Sequence, residues 1–179
     1  MTSRNKWFWT ILLTTGVLIP LAVFLGPGLA DPLALFDPGK KGILTVRIWR
    51  VAVGVLVGAS LSVSGAVLQA ILRNPLAEPY VLGLSSGAGL GIALAILTGM
   101  LGVSVFALPA AGFLGAALSL AAVYSLARAG RGTSPHTLVL AGVVWSSLCG
   151  SLLMFLVSQS SVEGLHAIMW WFLGDLQVF

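Results

Sequence analysis

Long apolar runs, broken by glycine, proline and small clusters of charge, organise this chain. The first run, Trp7 to Leu25, is closed by Gly26-Pro27-Gly28. Its 19 residues make a helix of about 28 Å, enough to span the hydrocarbon core of a bilayer. A polar connection, 31–50, follows, interrupted by Pro32, Pro38 and Gly39. The second run, 51–72, stops at Arg73-Asn74-Pro75, because proline disfavours helix at the residue before it. Residues 81–127 then pass without one charged side chain, which is too long for a single crossing. Gly99, Gly102 and Pro109 mark the break, predicting spans at 85–98 and 108–127. A polar turn from Arg128 to Pro135 precedes a fifth span at 137–159. The remainder mixes Glu163 and His166 with Met169, Trp170 and Trp171 and predicts a short interfacial helix at 162–173. The expected fold is all-α: a polytopic membrane bundle of five transmembrane helices and one interfacial helix, forming a single transmembrane domain over 1–179.

Composition supports lipid as the main solvent. Hydrophobic residues make up 58% of the chain and charged residues 8%, against about 25% charged in a soluble domain. Arg4 and Lys6 ahead of an apolar run resemble a secretory signal, but the run exceeds a usual signal core and no small-x-small cleavage site follows. A retained first span is expected. The net charge of +4 comes from bases scattered over connections without a stripe, which excludes nucleic acid as a partner. The single Cys149 lies in an apolar run, so one chain can form neither a disulfide nor a cysteine-rich metal site.

With a cytoplasmic amino terminus, Arg4, Lys6, Arg73, Arg128 and Arg131 fall inside, and Lys40, Lys41, Arg47 and Arg50 fall outside. The positive-inside rule favours this orientation by one base. The outside bases admit two readings. They can be snorkelling anchors at the start of a span. Alternatively, Arg47 and Arg50, spaced i, i+3 on one helix side, can bind carboxylates of an acidic extracytoplasmic partner.

Gly54 and Gly58 form one GxxxG pair, and Gly83, Gly87 and Gly91 form two in tandem, the spacing that lets helix backbones approach in lipid. Packing within the subunit and a dimer face are both compatible with it. Gly83-Leu84-Ser85-Ser86-Gly87 matches the spacing of a hydrolase nucleophile elbow, but no preceding strand and no acid within a span accompany it. Gly87, Gly89 and Gly91 lack the spacing and strand of a dinucleotide fingerprint. His136 and His166 are isolated, and no metal is assigned to them. Ion-coupled transporters keep ionisable groups at membrane depth. None lies within these spans, so the energy for moving a solute would enter from another subunit.

The segment from Arg47 to Ala88, RIWRVAVGVLVGASLSVSGAVLQAILRNPLAEPYVLGLSSGA, closely resembles the hallmark of the metal-chelate permease family of ABC importers. SGAxLQ, then RNPLAxP and LGxSxGA, carry the resemblance, and Leu140-Ala141-Gly142 and the Met169 to Gly174 stretch look like later landmarks. Trp49 stands where many relatives have proline. The resemblance implies the amino-terminal half of a ten-span permease for iron-siderophore, haem or vitamin B12, multi-pass in a bacterial or archaeal cytoplasmic membrane. Implied partners are a second permease chain in a homodimer, a cytoplasmic ATPase that holds ATP-Mg, and an extracytoplasmic substrate-binding protein. The chain itself is expected to carry no cofactor and no catalytic residue. Family likeness assigns docking to Arg47 and Arg50 and a cytoplasmic gate to Asn74, Leu76, Ser134, Pro135 and His136. The alternative is a non-transporting membrane fragment that only folds or self-associates.

Overall fold

The structure, a computed structural model, describes residues 3–25, 41–100, 102–129 and 134–174. The connection holding Asp31, Asp37 and Lys40, the turn residue Arg131, Asp175, and the side chains of Arg4 and Lys41 lie outside the described part. The described residues form six α-helices: α1 Ser3–Phe24, α2 Lys41–Leu72, α3 Leu84–Leu97, α4 Ala107–Ala129, α5 Pro135–Ser158 and α6 Val162–Leu173. A short 3-10 turn, Pro79–Leu82, leads into α3. Among the described residues, α1, α2, α4 and α5 are long and apolar enough to cross a membrane.

The chain forms two units, 1–60 with 176–179, and 61–175. In the first, α1 and the start of α2 are largely exposed, and among the described side chains of α1 only Ile19 and Val23 are half-buried. The sequence pattern began the second span at 51, whereas α2 begins at Lys41 and runs for 32 residues. No breaker follows Gly42, and Ile43, Leu44, Val46 and Ile48 continue the apolar pattern. Arginine is a good helix former whose stem lies along apolar surface, so Arg47 and Arg50 extend the helix instead of ending it.

In the second unit, α3, α4 and α5 pack through two clusters. At one end Leu82, Val123, Ala127 and Ala141 are buried, with Leu68, Leu84, Leu138 and Trp145 against them. At the other, Ile92, Ala93, Ile96 and Ile168 are buried, with Leu108, Leu153, Val157 and Trp171 around them. From cluster to cluster, α4 runs backwards from Ala127 to Leu108 while α5 runs forwards from Leu138 to Val157. The segment from Leu82 to Ile96, about 21 Å as a helix, also reaches from the first cluster to the second. Although α3 has only 14 residues, it reaches both clusters, through Leu84 at its start and Ile92, Ala93 and Ile96 towards its end.

Its short helix partner, α6, starts at the Ser158 end of α5. Ile168 packs near Ile96, and four residues later Phe172 meets Gly89. Thus α6 runs back along α3 towards the bundle interior, with Gly164 and Ile168 as its buried residues. Ser161 caps it, accepting from the Gly164 amide at 3.2 Å, and Glu163 in its first turn complements the helix dipole.

Candidate functional site

Glycine sets the distance between helices. A Cβ at Gly87 would overlap the Ser119 side chain and approach Gly115 O, and a Cβ at Gly115 would overlap Gly87 O. One at Gly91 would come within 2.5 Å of Ala111 O. The backbones of α3 and α4 therefore touch, as small residues permit in lipid. Gly142 of α5 does the same against Val81 O. Gly89 accepts the Phe172 ring, and Gly112 accepts Ile92 with Trp171 beyond it.

The candidate glycines do not behave alike. Gly83 lies outside a helix, at φ +76° between the 3-10 turn and α3, where an L side chain would be strained. Gly87 and Gly91 face α4, but a Cβ at Gly58 would meet no atom within 4 Å. Gly54, its spacing partner, is half-buried. The sequence pattern also passed over Gly112 and Gly115, and gave Gly142 only as part of a family landmark, not as a packing residue. Their signal was present as Gly112-x-x-Gly115, at i, i+3, and as Ala141-Gly142.

A polar link joins α4 and α5 inside this apolar setting. The Trp145 indole Nε1 of α5 donates to Ser119 Oγ of α4 at 2.6 Å, and Ser119 is buried. Several neighbouring hydroxyls instead bond carbonyls of their own helices, as Ser125 does to Ala121 O and Ser147 to Val143 O. Trp145 also closes over Gly83, whose Cβ would stand 3.1 Å from the indole ring.

The proposed gate residues occupy two turns at the Leu82 end of the second unit. After α2, Arg73 takes a left-handed φ of +49°, costly for a residue with a Cβ but imposed where Pro75 forbids further helix. Asn74 Oδ1 accepts the Leu76 amide at 2.9 Å and Asn74 O accepts the Ala77 amide at 3.1 Å. This turn buries Ala77 and thrusts Leu76 out, 83% exposed. Before α5, Ser134 Oγ accepts the Thr137 amide at 3.2 Å, and Pro135 supplies a preformed first helical residue. His136 is exposed. Ser134 and Pro135 thus have a helix-starting role independent of any gate.

Arg50 is exposed and Arg47 half-buried. Both line a cleft of about 380 Å³ between α1 and α2, walled by Ala22, Leu25, Ile43, Val46 and Val51. Within the second unit, a larger groove of about 710 Å³ runs beside α2, α3, α4 and α6. Its walls are aliphatic and aromatic, including Leu68, Trp171 and Phe172, with Ser64, Tyr80 and Ser85 as the polar side chains. Ser86, next to Ser85, donates to Gly83 O at 3.0 Å instead of lining it. Among the described residues, no three His, Cys, Asp or Glu side chains come together as metal ligands. Such surfaces can hold a solute by apolar contact and a few hydroxyls, without bond chemistry.

Known proteins share this arrangement. Residues 11–179 match the FecCD transport family. The cobalamin import system permease BtuC of Halobacterium salinarum is 41% identical over 149 residues, covering 82% of this chain and 40% of that protein. The vitamin B12 import system permease BtuC of Escherichia coli is 35% identical over 175 residues, covering 96% and 53%. A Helicobacter pylori protein assigned as an iron chelatin transport system permease is 44% identical over 140 residues, covering 76% and 40%. A solved inward-facing transporter assigned to the metal-chelate ABC type superposes with a TM-score of 0.79 at 30% identity, over 96% of this chain and 54% of that one. The chain spans about half the length of these relatives, or somewhat less. With the match running through every described helix, the chain belongs to the FecCD transport family.

Proposed function

We propose that this chain is a transmembrane permease subunit, or half-subunit, of an ABC importer that carries a metal chelate of the iron-siderophore, haem or cobalamin type across the cytoplasmic membrane. The observation that carries this reading is the family match over 11–179. Relatives described as cobalamin and iron chelatin permeases support the substrate class. The groove bearing Ser64, Tyr80 and Ser85 supports it too, since a bulky chelate needs a wide, weakly polar wall.

On this reading the chain is not an enzyme. A cytoplasmic ATPase binds ATP-Mg and supplies the energy, a second permease chain completes the path, and an acidic binding protein delivers the chelate to the arginine end of α2. The amino terminus is cytoplasmic, which places that end outside. Asn74 and Leu76, with Ser134, Pro135 and His136, then stand at the cytoplasmic mouth. Leu76 is suited to close it, because its turn holds a bare aliphatic side chain away from the bundle. Reconstitution with the cognate ATPase and binding protein tests the proposal. Chelate uptake that requires ATP is expected, and a chain that associates with neither partner would overturn it, leaving a fragment that only folds or self-associates.

A further inference from the structure

Trp145 of α5 touches several elements at once. Its indole N–H donates to Ser119 Oγ of α4 at 2.6 Å. Its Cδ1 edge lies 3.1 Å from where a Cβ of Gly83 would stand, and its ring packs on the buried cluster of Leu82, Val123, Ala127 and Ala141. The indole therefore ties the junction between the 3-10 turn and α3 to both α4 and α5. That junction is conformationally soft. The backbone passes from 3-10 to α-helix at Gly83, with φ +76°, and glycine has the most freedom to regain when its surroundings loosen. Contacts from outside must hold it to one geometry, and α5 supplies them. Gly142 sits so close that a Cβ there would overlap Val81 O, and Trp145 covers Gly83 itself.

The junction also stands between regions assigned to transport. Tyr80, in the 3-10 turn, lines the groove. Leu76, four residues earlier, is held outward by the turn that buries Ala77. The other gate turn, Ser134 to His136, leads into α5, the helix that carries Trp145. We propose that Trp145, braced by Ser119, is a positioning residue that locks the Gly83 junction to α5, so that the Leu76 turn and the start of α5 move as one body during transport. The lock stands on the packing alone, whereas its part in transport rests on the gate reading given above.

Hydrogen exchange on the full chain in lipid nanodiscs, followed by uptake in the reconstituted importer, tests the two parts. Trp145→Ala removes the ring and the donor, Trp145→Phe the donor alone, and Ser119→Ala the acceptor alone. The junction is read at the Val81 amide, which donates to Glu78 O at 3.1 Å, and at the Gly83 amide, which donates to Tyr80 O at 3.0 Å. The buried mid-helix residues Ile92 and Ala93 of α3 read the stability of the bundle. Trp145→Ala should speed exchange at Val81 and Gly83 about tenfold more than at Ile92 and Ala93. Trp145→Phe and Ser119→Ala should give smaller rises of equal size, and Trp145→Phe carries the same comparison if Trp145→Ala does not fold. An equal rise at all four amides, or no rise at the junction, overturns the lock. In the importer, Trp145→Ala should lower chelate uptake per ATP hydrolysed about fivefold, because a gate turn no longer tied to α5 opens out of step with it. Normal uptake per ATP from a chain with a loosened junction overturns the transport part. If the unsubstituted chain shows no ATP-dependent uptake while the exchange change stays local, the gate reading fails and the lock stands.

Discussion

The first 60 residues and the segment 61–175 are both strongly apolar, yet they use that character differently. None of the described residues among the first 60 is buried, whereas α3, α4 and α5 each carry several buried residues. Leucine and valine are common to both regions. What separates them is where a glycine meets another backbone: Gly87 against Gly115, Gly91 against Ala111, and Gly142 against Val81. In water, apolar side chains would drive both regions to bury themselves; in lipid that drive is missing and close approach of small residues decides what packs. The contrast also divides function. The packed region holds the groove and the turn presenting Leu76, and the open region holds the arginine pair.

The strongest attempt to break this contrast is a large side chain at a backbone contact. Gly87→Leu should force α3 away from α4, because even a Cβ there overlaps Ser119. Overpacking of this kind costs roughly 1–3 kcal/mol or more. The expected result is loss of monodisperse protein in detergent chromatography, or a thermal midpoint lowered by several degrees. An unchanged midpoint would mean that the α3–α4 contact contributes little to the fold.

Much of this architecture was legible in the sequence. Helices α4 and α5 were placed to within about two residues because Pro109, Arg128 and Pro135 punctuate an otherwise uniform apolar run. The start of α2 was missed by ten residues, since Arg47 and Arg50 interrupt hydropathy without interrupting helix. Glycine spacing along one helix identified Gly87 and Gly91 but could not name their partners, because a GxxxG pattern describes one surface and contact needs two. Nor could spacing separate Gly58, where an added Cβ would meet nothing within 4 Å, from Gly87. The groove was illegible for the same reason: Ser64, Tyr80, Ser85 and Phe172 come from four elements, and only folding sets α6 beside the others.

A smaller effect sharpens the comparison inside the packed region. Ser119→Ala removes the acceptor of the Trp145 indole and leaves that N–H within an apolar bundle. An unsatisfied buried donor costs about 1–3 kcal/mol, although interhelical hydrogen bonds in membranes average nearer 0.6 kcal/mol. Ser119→Ala should therefore lower stability by about 1 kcal/mol, and Trp145→Phe in the Ser119→Ala background should add less than it does alone. A double-mutant cycle followed by denaturation in detergent reads the coupling. Strict additivity would show that the two side chains act independently.

At the start of α5, Ser134→Ala should cost about 1 kcal/mol by removing the cap from the Thr137 amide. Ser134→Asp should restore stability, since aspartate caps as well as serine and also favours a helix start. Denaturation midpoints measure the capping role. Uptake in the reconstituted importer measures the gate, and normal stability with lost uptake for Ser134→Asp would assign Ser134 a second role there.

The smallest expected effect has the opposite sign and tests the open region. Gly58→Ala adds a methyl group that meets no atom within 4 Å, inside a helix where alanine is favoured over glycine by up to about 1 kcal/mol. If α2 stands clear of close neighbours at this point, the thermal midpoint of the chain in detergent should rise slightly or stay level. The same substitution at Gly87 should lower it, because there the new methyl group meets Ser119 and Gly115. The pair holds chemistry constant and varies only surroundings. A fall at Gly58 comparable to that at Gly87 would mean that another helix, from a second copy or a partner, presses against α2 at that level, and the openness of the first region would then belong to the isolated chain alone.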